Sequence, residues 1–150
     1  MCCTELIEEI DARGGGDAVA WHLELDPKPR SAATARRYVL ERLGPLDPET
    51  GGTLELLTSE LVTNAILHAR TPLVLGVARS VEHILVCVGD RNLVRPRQQP
   101  YSEERTDGRG IVILEALAER WGIATDERGK VVWFSMRLSA ARNSEVPGER

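Results

Sequence analysis

The sequence predicts an α+β fold: a two-layer sandwich in which a mixed, mostly antiparallel sheet carries helices on one face. Three observations predict it. Strand-like runs come in pairs, 73–78 with 84–88 and 121–125 with 130–138, each joined by a short polar turn suited to an antiparallel hairpin. A further run at 18–25 alternates Val19, Trp21, Leu23 and Leu25 with more polar residues, as a strand with one buried side does. Between these strands stand segments whose apolar residues recur every three or four positions, the spacing of one helical face.

Residues 1–17 hold one short apolar pattern, Leu6, Ile7 and Ile10, and then Gly14, Gly15 and Gly16. Such a glycine run breaks regular structure, so this stretch reads as a flexible N-terminal arm. Asp26 to Pro29 ends the first strand, and Ser31 is expected to cap a helix over 32–43. Gly44 and Pro45 stop that helix. The next helix can open anywhere from Asp47 to Thr50, with Gly51 and Gly52 as a weak point, and its strong pattern runs over 53–70. Leu54, Leu57, Leu61 and Ala65 are its inward stripe, and Thr71-Pro72 closes it. His83 falls in the turn between the first strand pair. Residues 89–107 show two prolines, many charges and little periodicity, the signature of a long functional or disordered loop. Gly108-Arg109-Gly110 opens an apolar helix over 111–120, with Ile111, Leu114, Leu117 and Ala118 inward. On the last strand Val132, Phe134, Met136 and Leu138 share one face, and Val131, Trp133 and Ser135 share the other. Residues 139–150 are small and polar, a flexible C-terminal tail. Residues 18–138 are thus expected to form one domain.

Composition narrows the function classes. At 150 residues and 42% hydrophobic, the chain can bury a single core without staples. Aromatics make up only 4%, so that core is aliphatic. A net charge of -4 argues against general nucleic-acid binding, which needs a basic excess. No apolar run reaches the ~18 residues of a membrane span. Three cysteines, two of them adjacent at Cys2 and Cys3, make no disulfide framework. Cys87, inside an apolar strand, is expected to be a small buried hydrophobe. A reducing cytoplasm fits this usage.

The 53–70 helix carries an odd polar ridge: Glu60, Asn64 and His68, four apart and therefore stacked on one flank. Asn in mid-helix is mildly unfavourable, because its side chain competes for backbone hydrogen bonds. An amide oxygen can ligate Mg2+, and a carboxylate one turn earlier can accept a proton from a nucleophile. A satisfied polar edge explains the ridge equally well. Asp90 ends an apolar strand and can accept a hydrogen bond from an exocyclic amine. Gly108, Arg109 and Gly110 lead into a helix, where backbone amides and the helix dipole favour phosphate.

Taken in order, these residues resemble the GHKL superfamily, the histidine-kinase-like ATPases that include gyrase and the mismatch-repair MutL proteins. The likeness is greatest to the bacterial anti-sigma-factor serine/threonine-kinase branch. It is carried by Glu60-Leu61-Val62-Thr63-Asn64-Ala65 followed by His68-Ala69, by Asp90, by Gly108-Arg109-Gly110-Ile111, and by the Arg120-Trp121-Gly122 and Gly129-to-Trp133 segments. It runs from about Trp21 to Leu138. The resemblance implies a Bergerat-type ATP-binding fold with ATP and Mg2+ as cofactors. It makes Asn64 the metal ligand and Glu60 the catalytic base on water or a protein hydroxyl. Asp90 would read the adenine amine, and the amides around Gly108, Arg109, Gly110 and Ile111 would cradle phosphates, with 91–107 as a lid. His68 stands one turn beyond Asn64, where approach to phosphate and a packing role are both open. The implied partners are a small anti-sigma-antagonist protein and a sigma factor, with no nucleic acid and no membrane, and a homodimer is allowed.

The sequence departs from the family pattern at two places. The second box is Asp-x-Gly-x-Gly in relatives; here it reads Asp90-Arg91-Asn92-Leu93-Val94. Asn92 adopts left-handed backbone more readily than most residues, whereas Val94 does not. Val131 stands where relatives commonly carry Thr, removing a hydroxyl expected near the base. Two functions stay open: an ATP-dependent protein serine/threonine kinase acting on a small antagonist, and a non-catalytic ATP-binding module that sequesters its partner.

Overall fold

The computed structural model describes residues 18–68, 72–90, 109–126 and 129–138. The expected arm at 1–17, the tail at 139–150 and the lid at 91–107 lie outside them. Eight elements follow in the order β1 (Val19–Leu25), α1 (Ser31–Leu43), α2 (Pro48–His68), β2 (Leu73–Arg79), β3 (His83–Asp90), α3 (Arg109–Leu117), β4 (Arg120–Asp126) and β5 (Gly129–Arg137). The strands form one sheet in the order β1-β2-β3-β5-β4, and every pairing is antiparallel. The expected α+β two-layer sandwich is therefore present.

Strand alternation divides the sheet cleanly. Trp21, Leu23, Leu75, Val77, Val86 and Phe134 lie on the helix-covered face, in one core with the inward residues of all three helices. α2 is the middle helix, packed against α1, α3, β3 and β5. Leu54, Leu57 and Leu61 are buried as the apolar spacing predicts, and Ala65 is half-buried. Val62 and Thr58 are buried as well. A helix with neighbours on both sides sinks more of its circumference than the ~100° stripe of a surface helix.

The helix ends depart from expectation in instructive ways. Ser31 does not cap α1. Arg30 holds the N-cap position without a side-chain bond, and Ser31 Oγ donates back to the Asp26 carbonyl at 2.7 Å. Gly44 does end α1, with φ of 77° and its N–H on the Leu40 carbonyl. A left-handed backbone is cheap there only for glycine. Arg79 of β2 donates to the Leu43 carbonyl, fastening that helix end to the sheet. α2 opens at Pro48, where a missing N–H costs nothing. The Thr50 N–H donates to Asp47 Oδ2 at 3.3 Å, so Asp47 supplies the cap. Gly51 and Gly52 lie inside this helix and do not delay it.

Two further expectations are corrected. His83 is not a turn residue: it begins β3 and is 7% exposed, with Nε2 3.6 Å from Glu119 Oε1. The turn is closed ahead of it, where the His83 N–H donates to Ser80 Oγ at 3.1 Å. Cys87 is buried with Ala78 and Leu85, as a small hydrophobe would be. It is nevertheless disulfide-bonded, although the cysteine count reads as no disulfide framework.

Candidate functional site

The described site residues lie on α2, at the end of β3 and at the start of α3. α2 ends at His68 and β2 begins at Leu73, so the end of α2 and the start of β2 are five positions apart in the chain. Leu73 is in register with Asp90, the last residue of β3. At the opposite end, α3 stops at Leu117 just before Glu119, whose N–H donates to the Ser135 carbonyl. α3 runs back from there across β4 and packs on α2. Its first turn, Arg109 and Gly110 with Ile111 behind them, is the end remote from Ser135.

On α2, Glu60 and Asn64 are both half-buried. They lie one turn apart, separated by ~6 Å of helix rise. Partial burial is what a binding flank requires: shielded enough for a carboxylate or amide to act strongly, open enough to meet a ligand. Arg36 of α1 donates from Nη1 to Ser59 Oγ at 2.9 Å, pinning α2 at the residue before Glu60. The sequence gives little sign of this tie, because it joins residues 23 apart on different helices. His68 is the last residue of α2 and Asp90 the last of β3. Asn92 and Gly108 lie outside the described residues.

The α3 start suits an anion. Its first turn has no acidic residue to compete with phosphate, and the unpaired amides of a helix N-terminus attract negative charge. Among the described residues, no group of three or more His, Cys, Asp or Glu could hold a metal. Mg2+ commonly takes one or two protein oxygens and fills the rest of its shell with water and substrate phosphates. A donor set of one amide, Asn64, beside one carboxylate, Glu60, fits that hard, phosphate-completed kind of site.

Two features near Asp90 were not anticipated. Gly89 allows β3 and β5 to approach: a Cβ there would meet Val131 Cγ2 at 3.1 Å and the Lys130 carbonyl at 3.4 Å. A glycine inside a strand is the available sequence signal for such an approach. Val131 pairs with Gly89 and packs with Ala78, Leu85 and Cys87 on the face away from the helices. The expectation that Val131 removes a hydroxyl near the base is therefore corrected. The alternation that turns Val131 away brings its neighbour Lys130, half-buried, to the register position beside Asp90 on the helix-covered face.

Residues 25–136 match the family model of the histidine kinase-like ATPase domain. The chain belongs to that family, whose ligand class is ATP. It is also similar in fold to the crystal structure of the RsbU and RsbW domains of Rv1364c from Mycobacterium tuberculosis. The TM-score is 0.60 and the identity 22%, over 80% of this chain and 32% of that one. This chain therefore spans about a third of that longer protein. No curated protein matches. Among the described residues, no helix is long and apolar enough to cross a membrane.

Proposed function

We propose that the protein is a cytoplasmic, Mg2+-dependent ATP-binding regulator that phosphorylates a serine or threonine of a small antagonist protein. The observation that carries this reading is the half-buried Glu60/Asn64 flank of α2, supported by the acid-free first turn of α3. Asp90 accepts the adenine amine, and the Gly108, Arg109, Gly110 and Ile111 amides hold the phosphates. His68 and Asn92 border the same pocket. Asn64 supplies the protein ligand to Mg2+, which when bound screens phosphate charge. Glu60 takes the proton from the acceptor hydroxyl. That oxygen bonds to the γ-phosphorus as the bond to the ADP oxygen breaks, and ADP leaves with the electron pair. Such transfer rests mainly on positioning and charge neutralisation. The partners are the antagonist and, through it, a sigma factor, with a homodimer as the working assembly.

Calorimetry with ATP, with and without Mg2+, tests the binding half. Saturable, Mg2+-dependent heat is expected, and none at millimolar ATP would sink the reading. Transfer of labelled γ-phosphate to a candidate antagonist, lost in Glu60→Ala, tests the kinase half. The substitution of both second-box glycines, by Asn92 and Val94, favours a second reading. In it the same pocket uses ATP structurally and the protein only sequesters its partner. Partner capture with no phosphate transfer supports that reading.

A further inference from the structure

β1 is an edge strand of the sheet, and the hydrogen bonds of its neighbours fix which of its residues face outward. The Ser80 N–H donates to the His83 carbonyl, which makes Ser80 and His83 a hydrogen-bonded pair across β2 and β3. Backbone groups alternate between the two sides of a strand. Ala78, Gly76 and Val74 therefore bond toward β3, and Arg79, Val77, Leu75 and Leu73 bond toward β1. Their partners on β1 are Val19, Trp21, Leu23 and Leu25. The N–H and C=O groups of Ala20, His22 and Glu24 are left on the outer edge. Tyr38 agrees with this assignment, since its hydroxyl donates to the His22 carbonyl at 3.2 Å in an exposed bond. A carbonyl has two lone pairs, so His22 can still accept a ladder bond.

Sheet edges are commonly guarded by proline, lysine, a bulge or short length, because their unpaired groups template another strand. β1 has none of these guards. It is seven residues long and pairs with β2 in unbroken register. It contains no proline, lysine or arginine. Its apolar surface is also unfinished. Trp21 and Leu23 are only half-buried, whereas Val77 and Leu75, opposite them on β2, are fully buried. His22 and Glu24 are exposed, and strand alternation sets both on the face away from the helices.

A second copy of β1 fits this edge. Placed antiparallel about a two-fold axis at Leu23, it brings His22 opposite the partner's Glu24 and Glu24 opposite the partner's His22. All four residues present outward backbone groups, so each pair exchanges both ladder bonds. An imidazole then faces a carboxylate twice on one surface. On the other surface Leu23 meets the partner's Leu23, and Trp21 meets the partner's Leu25. An axis at His22 would instead set the two imidazoles against each other and Glu24 against alanine, so charge selects the axis at Leu23. We propose that two copies of this chain join edge to edge through β1, antiparallel about Leu23, to form one continuous sheet. This rests on the homodimer of the proposed function and supplies its interface.

The test is sedimentation equilibrium of the full chain over a wide concentration range, with amide exchange followed by NMR. The wild type is expected to dimerise. Exchange of the His22 and Glu24 amides should slow as concentration rises, while the Trp21 and Leu23 amides, bonded to β2, stay slow throughout. His22→Pro removes an outward N–H and no bond to β2, so it should yield a monomer. Glu24→Lys changes only an exposed side chain and sets a cation against each imidazole. It should raise the dimer Kd by about 2- to 30-fold, the loss of two cross-strand pairs. Adding His22→Glu exchanges the charges and should return Kd to the wild-type value. A monomeric wild type, particles larger than a dimer, a dimer indifferent to His22→Pro, or failure of the charge exchange to rescue Glu24→Lys would each overturn the proposal. ATP calorimetry on the same samples keeps it apart from the kinase reading. A dimer that binds no ATP sinks that reading and leaves this interface standing, whereas a monomer that binds ATP with Mg2+ does the reverse.

Discussion

Asn64 is an intrinsically unfavourable residue for mid-helix. An alanine there would be intrinsically better by up to ~0.7 kcal/mol. Asn64→Ala is therefore expected to leave the urea midpoint unchanged or slightly raised while abolishing Mg2+-dependent ATP binding by calorimetry. Loss of both together would mean that the amide is structural. Lys130 makes the opposite kind of prediction. Its register position is beside Asp90, the residue proposed to read the adenine amine. If the Lys130 ammonium competes for that carboxylate with the ~0.2–1 kcal/mol of an ordinary ion pair, Lys130→Met should tighten ATP binding by about 1.5- to 5-fold. Unchanged or weaker binding would remove Lys130 from the adenine end. The resemblance pointed to Val131 instead because a motif aligns residues in a row, whereas a strand sends neighbours to opposite faces.

Within α2, Thr58 is fully buried with an unpartnered hydroxyl. Valine has the same shape without the polar atom, so Thr58→Val should stabilise the protein by about 1 kcal/mol, read as a higher urea midpoint. Asp47→Ala should cost about 1 kcal/mol by removing the cap on Thr50. The spacing of Glu60 and Asn64 and the inward leucines were readable directly, since a 3.6-residue period survives any tertiary context. The start of α2 was readable only as a range, Asp47 to Thr50, and it falls at Pro48. Two adjacent glycines each cost a helix ~1 kcal/mol and so blur that beginning. Pro48, the Asp47 cap and burial between α1 and α3 outweigh them. His83 was misplaced for a related reason. Its turn is closed by Ser80, and Glu119, whose Oε1 lies 3.6 Å from the ring Nε2, is 36 residues away in sequence (119 − 83).

Over the whole molecule, antiparallel order gathers the ties at one end of the sheet. At that end Arg137 Nη1 lies 3.4 Å from Glu82 Oε1 and its Nε 3.5 Å from Glu119 Oε2. Arg137 and Glu82 are mostly exposed, so these ion pairs contribute little stability. Glu60 is half-buried on the flank of α2 and outside the apolar core cluster. Glu60→Gln keeps its size and hydrogen-bonding reach and removes only its basicity, so this variant separates the two functional readings. If the protein is a kinase, Glu60→Gln retains Mg2+-dependent ATP binding and partner capture, and transfer of labelled phosphate falls by about 10²–10⁴-fold, the usual contribution of a positioned base. If it is a sequestering module, the wild type transfers no phosphate above the Glu60→Gln level, and the two capture the partner equally. Capture lost in Glu60→Gln while ATP binding persists would instead place Glu60 at the partner interface and end its assignment as a base.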